Sequence, residues 1–178
     1  MSQSQKSRNS SPVPEQNLQA ETEESYMREA WLLACEAAEH GEVPIGAVVV
    51  LRGQVIARAW NQVEMKKDAT AHAEMLALSQ AAAAIGDWRL NECCLYVTKE
   101  PCPMCAGAMV NARLGRLVFG CRDPRGGATG GALDLAHFPG LLHQFDCKGG
   151  VCEEQCAEIL REFFRKQRQF KTAESTER

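Results

Sequence analysis

Aromatic residues make up only 6% of this 178-residue chain, so Val, Leu, Ile and Ala must fill most of any core. Long apolar runs are also missing. No stretch approaches the roughly 18 apolar residues of a membrane-spanning helix, and residues 1–25 hold no apolar run of the signal-peptide type. The expectation is a cytoplasmic protein with no membrane partner. Strong charge of either sign is absent too. The formal net charge is −3, which argues against coating nucleic acid by bulk charge. Residues 1–25 carry Lys6 and Arg8 against Glu15, Glu21, Glu23 and Glu24, a net of −2 that leaves −1 for the remainder. Any basic surface must therefore be local.

Cysteine is abundant: there are nine, an odd number, in a chain that is 45% hydrophobic and long enough for one domain with a real core. Without a secretory signal, most of these thiols are expected to be free and a few to bind metal. The Ser-rich start with Lys6 and Arg8 would suit an organelle transit peptide, but the acids from Glu15 to Glu24 do not.

Residues 1–25 are polar and interrupted by Pro12 and Pro14, a composition expected to form a disordered tail. The folded domain is expected over 26–170, with a second tail at 171–178. Tyr26, Met27, Ala30, Trp31, Ala34, Ala37 and Ala38 recur at helical spacing, and Gly41 stops them. The β-branched run over 45–51, the turn Arg52-Gly53 and the alternating segment Gln54–Trp60 predict an antiparallel hairpin. A polar loop follows, and Thr70 is placed to cap a helix running to about Ile85. Strands are predicted at 93–98 and 117–119. Between them lies a helix from about Pro103 to Ala112, giving a right-handed βαβ crossover. A Gly-rich loop at 125–131, a short edge strand within 143–151 and an amphipathic helix from Cys152 with a basic end complete the chain. Helices alternating with strands predict an α/β fold whose sheet is covered on both faces, with sites beyond the strand ends.

The chemistry concentrates in His72-Ala73-Glu74 and Pro101-Cys102-Pro103-Met104-Cys105. One imidazole and two thiolates are donors that zinc prefers. Cys102 and Cys105, three apart in a first helical turn, can reach one ion. Three protein ligands leave the fourth position open, as in catalytic zinc sites. Glu74 would carry protons beside it. H-x-E followed by P-C-x-x-C is the pattern of zinc nucleobase deaminases. The alternative is a structural zinc completed by Cys121, Cys147, Cys152, Cys156, His137 or His143. Cys147, Cys152 and Cys156 could also form a second metal site or redox-sensitive thiols, with plain free cysteines as the simplest reading.

Longer stretches add a resemblance. Ala71-His-Ala-Glu-Met75, Leu95-Tyr-Val-Thr98, the segment 100–109 and Arg116-Leu-Val-Phe-Gly120 closely resemble the tRNA-specific adenosine deaminases of bacteria, within the cytidine deaminase-like superfamily. The likeness runs from about residue 26 to 170, and Arg122-Asp123 and Phe163-Phe164-Arg165 point to the tRNA branch. It implies a three-layer α/β/α sandwich with a mixed five-stranded sheet, a homodimer with one zinc ion per subunit, and a tRNA anticodon stem-loop as partner. It also implies roles: Asn61 holding the target base, Val43 and Pro44 in the pocket wall, Asp123 against the ribose or backbone, and Phe164, Arg165 and Arg168 meeting the anticodon loop. Ala69 and Lys99 depart from the family pattern, which usually has proline and an apolar residue there. Two other readings stay open at this level. One is a deaminase of free guanine, cytosine or cytidine; the other is a structural zinc protein.

Overall fold

Strands that are apolar on both faces need cover on both sides. The computed structural model, which describes residues 15–176 and the side chains of residues 22–169, supplies it. The elements in chain order are α1 (Glu15–Glu39), β1 (Gly46–Leu51), β2 (Gln54–Trp60), α2 (Val63–Lys66), α3 (Ala73–Ile85), β3 (Cys93–Lys99), α4 (Pro103–Asn111), β4 (Arg116–Cys121), β5 (Asp146–Lys148) and α5 (Glu153–Thr176). The sheet order is β2-β1-β3-β4-β5. β1 is antiparallel to β2 and to β3, whereas β3, β4 and β5 run parallel. This is the expected mixed five-stranded sheet in three layers.

Side chains alternate across the pleat, and the two cores follow from that. Val48, Val50, Tyr96 and Val118 pack with Met27 and Ala30 of α1 and with Cys156 and Leu160 of α5. Val49, Leu95, Val97, Leu117 and Phe119 pack on the other side, with Ala77, Leu78 and Ala81 of α3 and Met109 of α4. Small residues let α1 lie directly on β1. A Cβ added at Gly46 would fall 2.1 Å from the Ala30 carbonyl oxygen.

Because β1 runs against β2 and β3, the segment entering β1 (Val43–Ile45) lies at the same sheet edge as the residues leaving β2, β3 and β4. Those residues are Asn61, Glu100 and Arg122-Asp123. The backbone N–H of Asn61 closes this edge on the Ile45 carbonyl, at 2.9 Å.

The structure corrects several boundaries. The expected tail at 1–25 is helical from Glu15 onward, while residues 1–14 lie outside the described part. Glu23, counted with a solvated acidic run, is buried and ion-paired with Arg116 at 2.8 Å and Lys148 at 2.5 Å. At the other end α5 continues through Thr176, so 171–176 are helix and only 177–178 fall outside. The polar loop after Asn61 contains the short helix α2. Thr70 does not cap α3. Its N–H and hydroxyl both donate to Asp68 Oδ1, at 2.8 and 2.7 Å, and His72 takes the cap position. Among the described residues no helix is long and apolar enough to cross a membrane.

Candidate metal and catalytic site

Two loops turn into helices at the same end of the sheet, and each delivers metal-type donors at its cap. His72 precedes α3 with extended backbone (φ −68°, ψ 150°), and Cys102 precedes α4 in the same way (φ −72°, ψ 170°). Neither side chain makes a capping hydrogen bond to its helix, so neither is committed to the cap. Pro103 opens α4, where its missing N–H costs no helical bond. Cys105 is the third residue of that helix, which brings its sulfur back beside the cap residue.

His72 Nδ1 lies 3.7 Å from Cys102 Sγ and 3.5 Å from Cys105 Sγ, and the sulfurs are 3.6 Å apart. Tetrahedral zinc with ordinary bond lengths would set such edges at about 3.8 Å between sulfurs and about 3.6 Å from sulfur to nitrogen. The triangle therefore fits that ion. Its protonation points the same way. Hydrogen bonding from Cys105, opposed by burial and aided by His72, holds the Cys102 thiol down to about 3, while the bond to Cys102 and burial push Cys105 up. Hydrogen-bonded thiols beside an imidazole give up their protons when a divalent cation binds the pocket. Two helix N-termini pointing at it favour the thiolate form.

Glu74 is buried in the first turn of α3, and its Oε2 has no hydrogen-bond partner. Burial raises its pKa. A buried carboxylate oxygen left without a partner is costly unless a substrate or water uses it. Among the described residues His72, Cys102 and Cys105 are the one group of three potential metal donors. Cys121, Cys147, Cys152, Cys156, His137 and His143 do not join it. His137 pairs with Asp134, and His143 Nε2 contacts the Leu114 carbonyl at 2.7 Å. All nine cysteines are free.

Two carboxylates that the sequence did not single out hold the walls. Glu42 is buried and accepts from Asn61 Nδ2 at 3.1 Å, Glu64 N–H at 3.1 Å and Met65 N–H at 2.6 Å. It fixes the Asn61 amide and ties α2 to the β1 entry, where Pro44 is buried and Val43 half-buried. Glu100 is buried at the end of β3 and gathers the Gly-rich loop. Its carboxylate accepts N–H groups of Asp123 (2.9 Å), Thr129 (3.2 Å) and Gly131 (2.7 Å). A Cβ at Gly131 would come within 2.9 Å of both Glu100 oxygens, so the loop wraps the acid only with glycine there. An acid at a strand end ahead of a Gly-rich loop was the available signal for Glu100. Glu42 left none.

Asp123 is half-buried and pairs with Lys99, while its Oδ1 accepts N–H groups of Arg125 and Gly126 at 3.1 and 3.0 Å. Burial works against its charged form, but Lys99 and these N–H groups outweigh it and lower its pKa. Asp123, Phe164, Arg165 and Arg168 share one groove of about 590 Å³, together with Lys99 and Arg122. Phe164 is 44% exposed there. Asn61, Val43 and Pro44 do not line that groove. The expected substrate residues thus fall into two walls on one sheet edge.

Residues 21–168 match the family described as MafB19-like deaminase. The chain is 49% identical over 151 residues to the tRNA-specific adenosine deaminase of Bacillus subtilis (strain 168), covering 85% of this chain and 94% of that protein. It is 40% identical over 158 residues to the protein of the same name from Haemophilus influenzae, covering 88% and 91%. A solved structure from a study of A-to-I editing by tRNA:A34 deaminases at the wobble position of transfer RNA superposes with a TM-score of 0.74 at 45% identity, over 76% of this chain and 99% of that one. A guanine deaminase from Nitrosomonas europaea superposes with a TM-score of 0.69 at 26% identity, over 85% and 93%.

Proposed function

The chain belongs to the MafB19-like deaminase family and, within it, to the tRNA-specific adenosine deaminases, and from that premise we propose that His72, Cys102 and Cys105 hold one zinc ion per subunit while Glu74 moves the protons that turn a wobble adenosine into inosine. The observation that carries the assignment is Glu74 Oε2, buried and unpartnered on the helix that begins at His72.

Bound in the triangle, zinc supplies an activated water at neutral pH. The overall change consumes one water and releases one ammonia: a C6–O bond forms and the C6–N bond breaks. Glu74 takes one proton from the attacking water and passes it to the adjacent ring nitrogen, then takes the remaining proton from the new C6 hydroxyl and delivers it to the departing amine. Its burial suits this task, because a raised pKa lets the carboxyl hold a proton between transfers. Asn61, fixed by Glu42, presents its amide to the extruded base, and Val43 and Pro44 wall the pocket. Asp123 faces the ribose or backbone, and Phe164, Arg165 and Arg168 meet the anticodon loop.

We also read a homodimer. The outer faces of α3 and α4 form an apolar groove of about 410 Å³ lined by Met75, Leu78, Ala82, Trp88 and Ala108, on the helices that carry the zinc donors. Trp88 is 51% exposed there, and a second copy would cover it. A tRNA substrate fits a cytoplasmic setting.

The deciding experiment incubates zinc-loaded protein with an anticodon stem-loop carrying a wobble adenosine, and separately with free guanine, cytosine and cytidine. Inosine is expected in the RNA alone. Ammonia from a free base, with the RNA unchanged, would overturn the substrate assignment.

A further inference from the structure

We propose that Lys99 is a phosphate anchor at the pocket rim, binding the RNA backbone beside the extruded adenosine; this rests on the tRNA reading above. Lys99 is the last residue of β3 and directly precedes Glu100, three positions ahead of the first cysteine of the metal triangle. Its side chain is 27% exposed, and its ammonium pairs with Asp123. Asp123 is the one hydrogen-bond partner of that ammonium among the described residues. An ammonium has three donors, so two remain for a ligand.

The carboxylate side of the pair is already occupied. Asp123 Oδ2 takes Lys99, and Oδ1 takes the Arg125 and Gly126 N–H groups. The backbone N–H of Asp123 is held in turn by the buried Glu100. Lys99 is thereby fixed at its tip by a carboxylate that the loop itself immobilises, which lowers the ordering cost of using the remaining donors.

The surroundings name the ligand class. Six cations line the groove, namely Lys99, Arg122, Arg125, Arg161, Arg165 and Arg168, against the lining carboxylates Asp123 and Glu158 and two more beside it, Glu154 and Glu162, which pair with Arg161 and Arg165. In a chain of net charge −3, that local excess calls for a polyanion. Phosphodiesters accept several donors at once. Lys99 ends β3 three residues before Cys102, at the sheet edge where the metal donors stand, whereas Arg161, Arg165 and Arg168 reach the groove from α5. The phosphate at Lys99 therefore belongs to the target nucleotide or its immediate neighbour.

The test compares wild type, Lys99→Met and Lys99→Arg, zinc-loaded and full length, on the anticodon stem-loop across a series of salt concentrations. For Lys99→Met, KM is expected to rise about tenfold with kcat within about twofold. The slope of log kcat/KM against log salt should become shallower by about 0.7–1, the loss of one phosphate contact. Lys99→Arg should restore both. Asp123→Asn with and without Lys99→Met should show the same slope change, which separates phosphate binding from release of Asp123. An unchanged slope in Lys99→Met, with kcat lowered instead, overturns the inference and leaves the tRNA reading intact. A wild type that leaves the RNA unedited defeats that reading first, and this inference with it.

Discussion

Asn61 and Glu42 meet through a buried hydrogen bond, Nδ2 to Oε2 at 3.1 Å, between the end of β2 and the entry to β1. The same carboxylate accepts the Glu64 and Met65 N–H groups. One acid thus orients the amide proposed to meet the base and anchors a helix turn. Glu42→Ala leaves one buried and two part-buried donors without their acceptor, and a loss of about 2 kcal/mol in denaturant unfolding is expected. Activity should fall further than stability explains, mainly through KM, as steady-state kinetics on folded protein would report.

Glu74→Gln is expected to lower kcat by about a thousandfold or more while metal analysis still finds one zinc per chain. Thermal stability should hold or rise, because the variant removes a carboxylate whose Oε2 has no partner. Zinc lost in parallel with activity would reassign Glu74 to holding the site together.

Stripping the metal with a strong chelator should abolish deamination, and zinc should restore it. His72→Ala, Cys102→Ser and Cys105→Ser are each expected to lose the ion. Circular dichroism should nonetheless show retained secondary structure, because the two apolar clusters flanking the sheet do not depend on the ion for their packing. Unfolding on chelation would indicate a structural zinc.

Glu23 provides the pH test. Burial disfavours its charge, but hydrogen bonds and charges from Lys148 and Arg116 outweigh burial and lower its pKa. A carboxyl with a depressed folded-state pKa contributes stability above its unfolded value, near 4.5, and loses it as pH falls through the folded value. Glu23→Gln should therefore cost about 1–2 kcal/mol near neutrality and progressively less below about pH 4.5. Denaturant melts of both proteins at falling pH would measure the convergence. A constant difference at every pH would separate the effect from ionisation.

Much of the fold could be read from local pattern. The hairpin, the βαβ crossover and the helices that begin at the metal donors appear as expected, because each is encoded by periodicity and turn residues within a short window. The failures share a different origin. Thr70 has cap chemistry, but Asp68 two residues earlier takes both its donors. Residues 15–25 look like a solvated tail until Arg116 and Lys148 are brought beneath Glu23 by β4 and β5.

The candidate donor set His72, Cys102 and Cys105 and the neighbouring acid Glu74 were legible in the sequence alone. Their spacing within two helix starts is a property of contiguous residues, and few chemistries use that combination. What only the tertiary structure decided are the pairings across the chain: Glu42 with Asn61, Glu100 with the 123–131 loop, and Lys99 with Asp123. These partners stand 19 to 31 residues apart. Glu42 meets Asn61 because β1 runs against β2, and Glu100 and Lys99 meet the 123–131 loop because β3 and β4 are parallel neighbours that end together. A carboxylate on a surface and a carboxylate buried at that edge look the same in a sequence; strand order makes the difference.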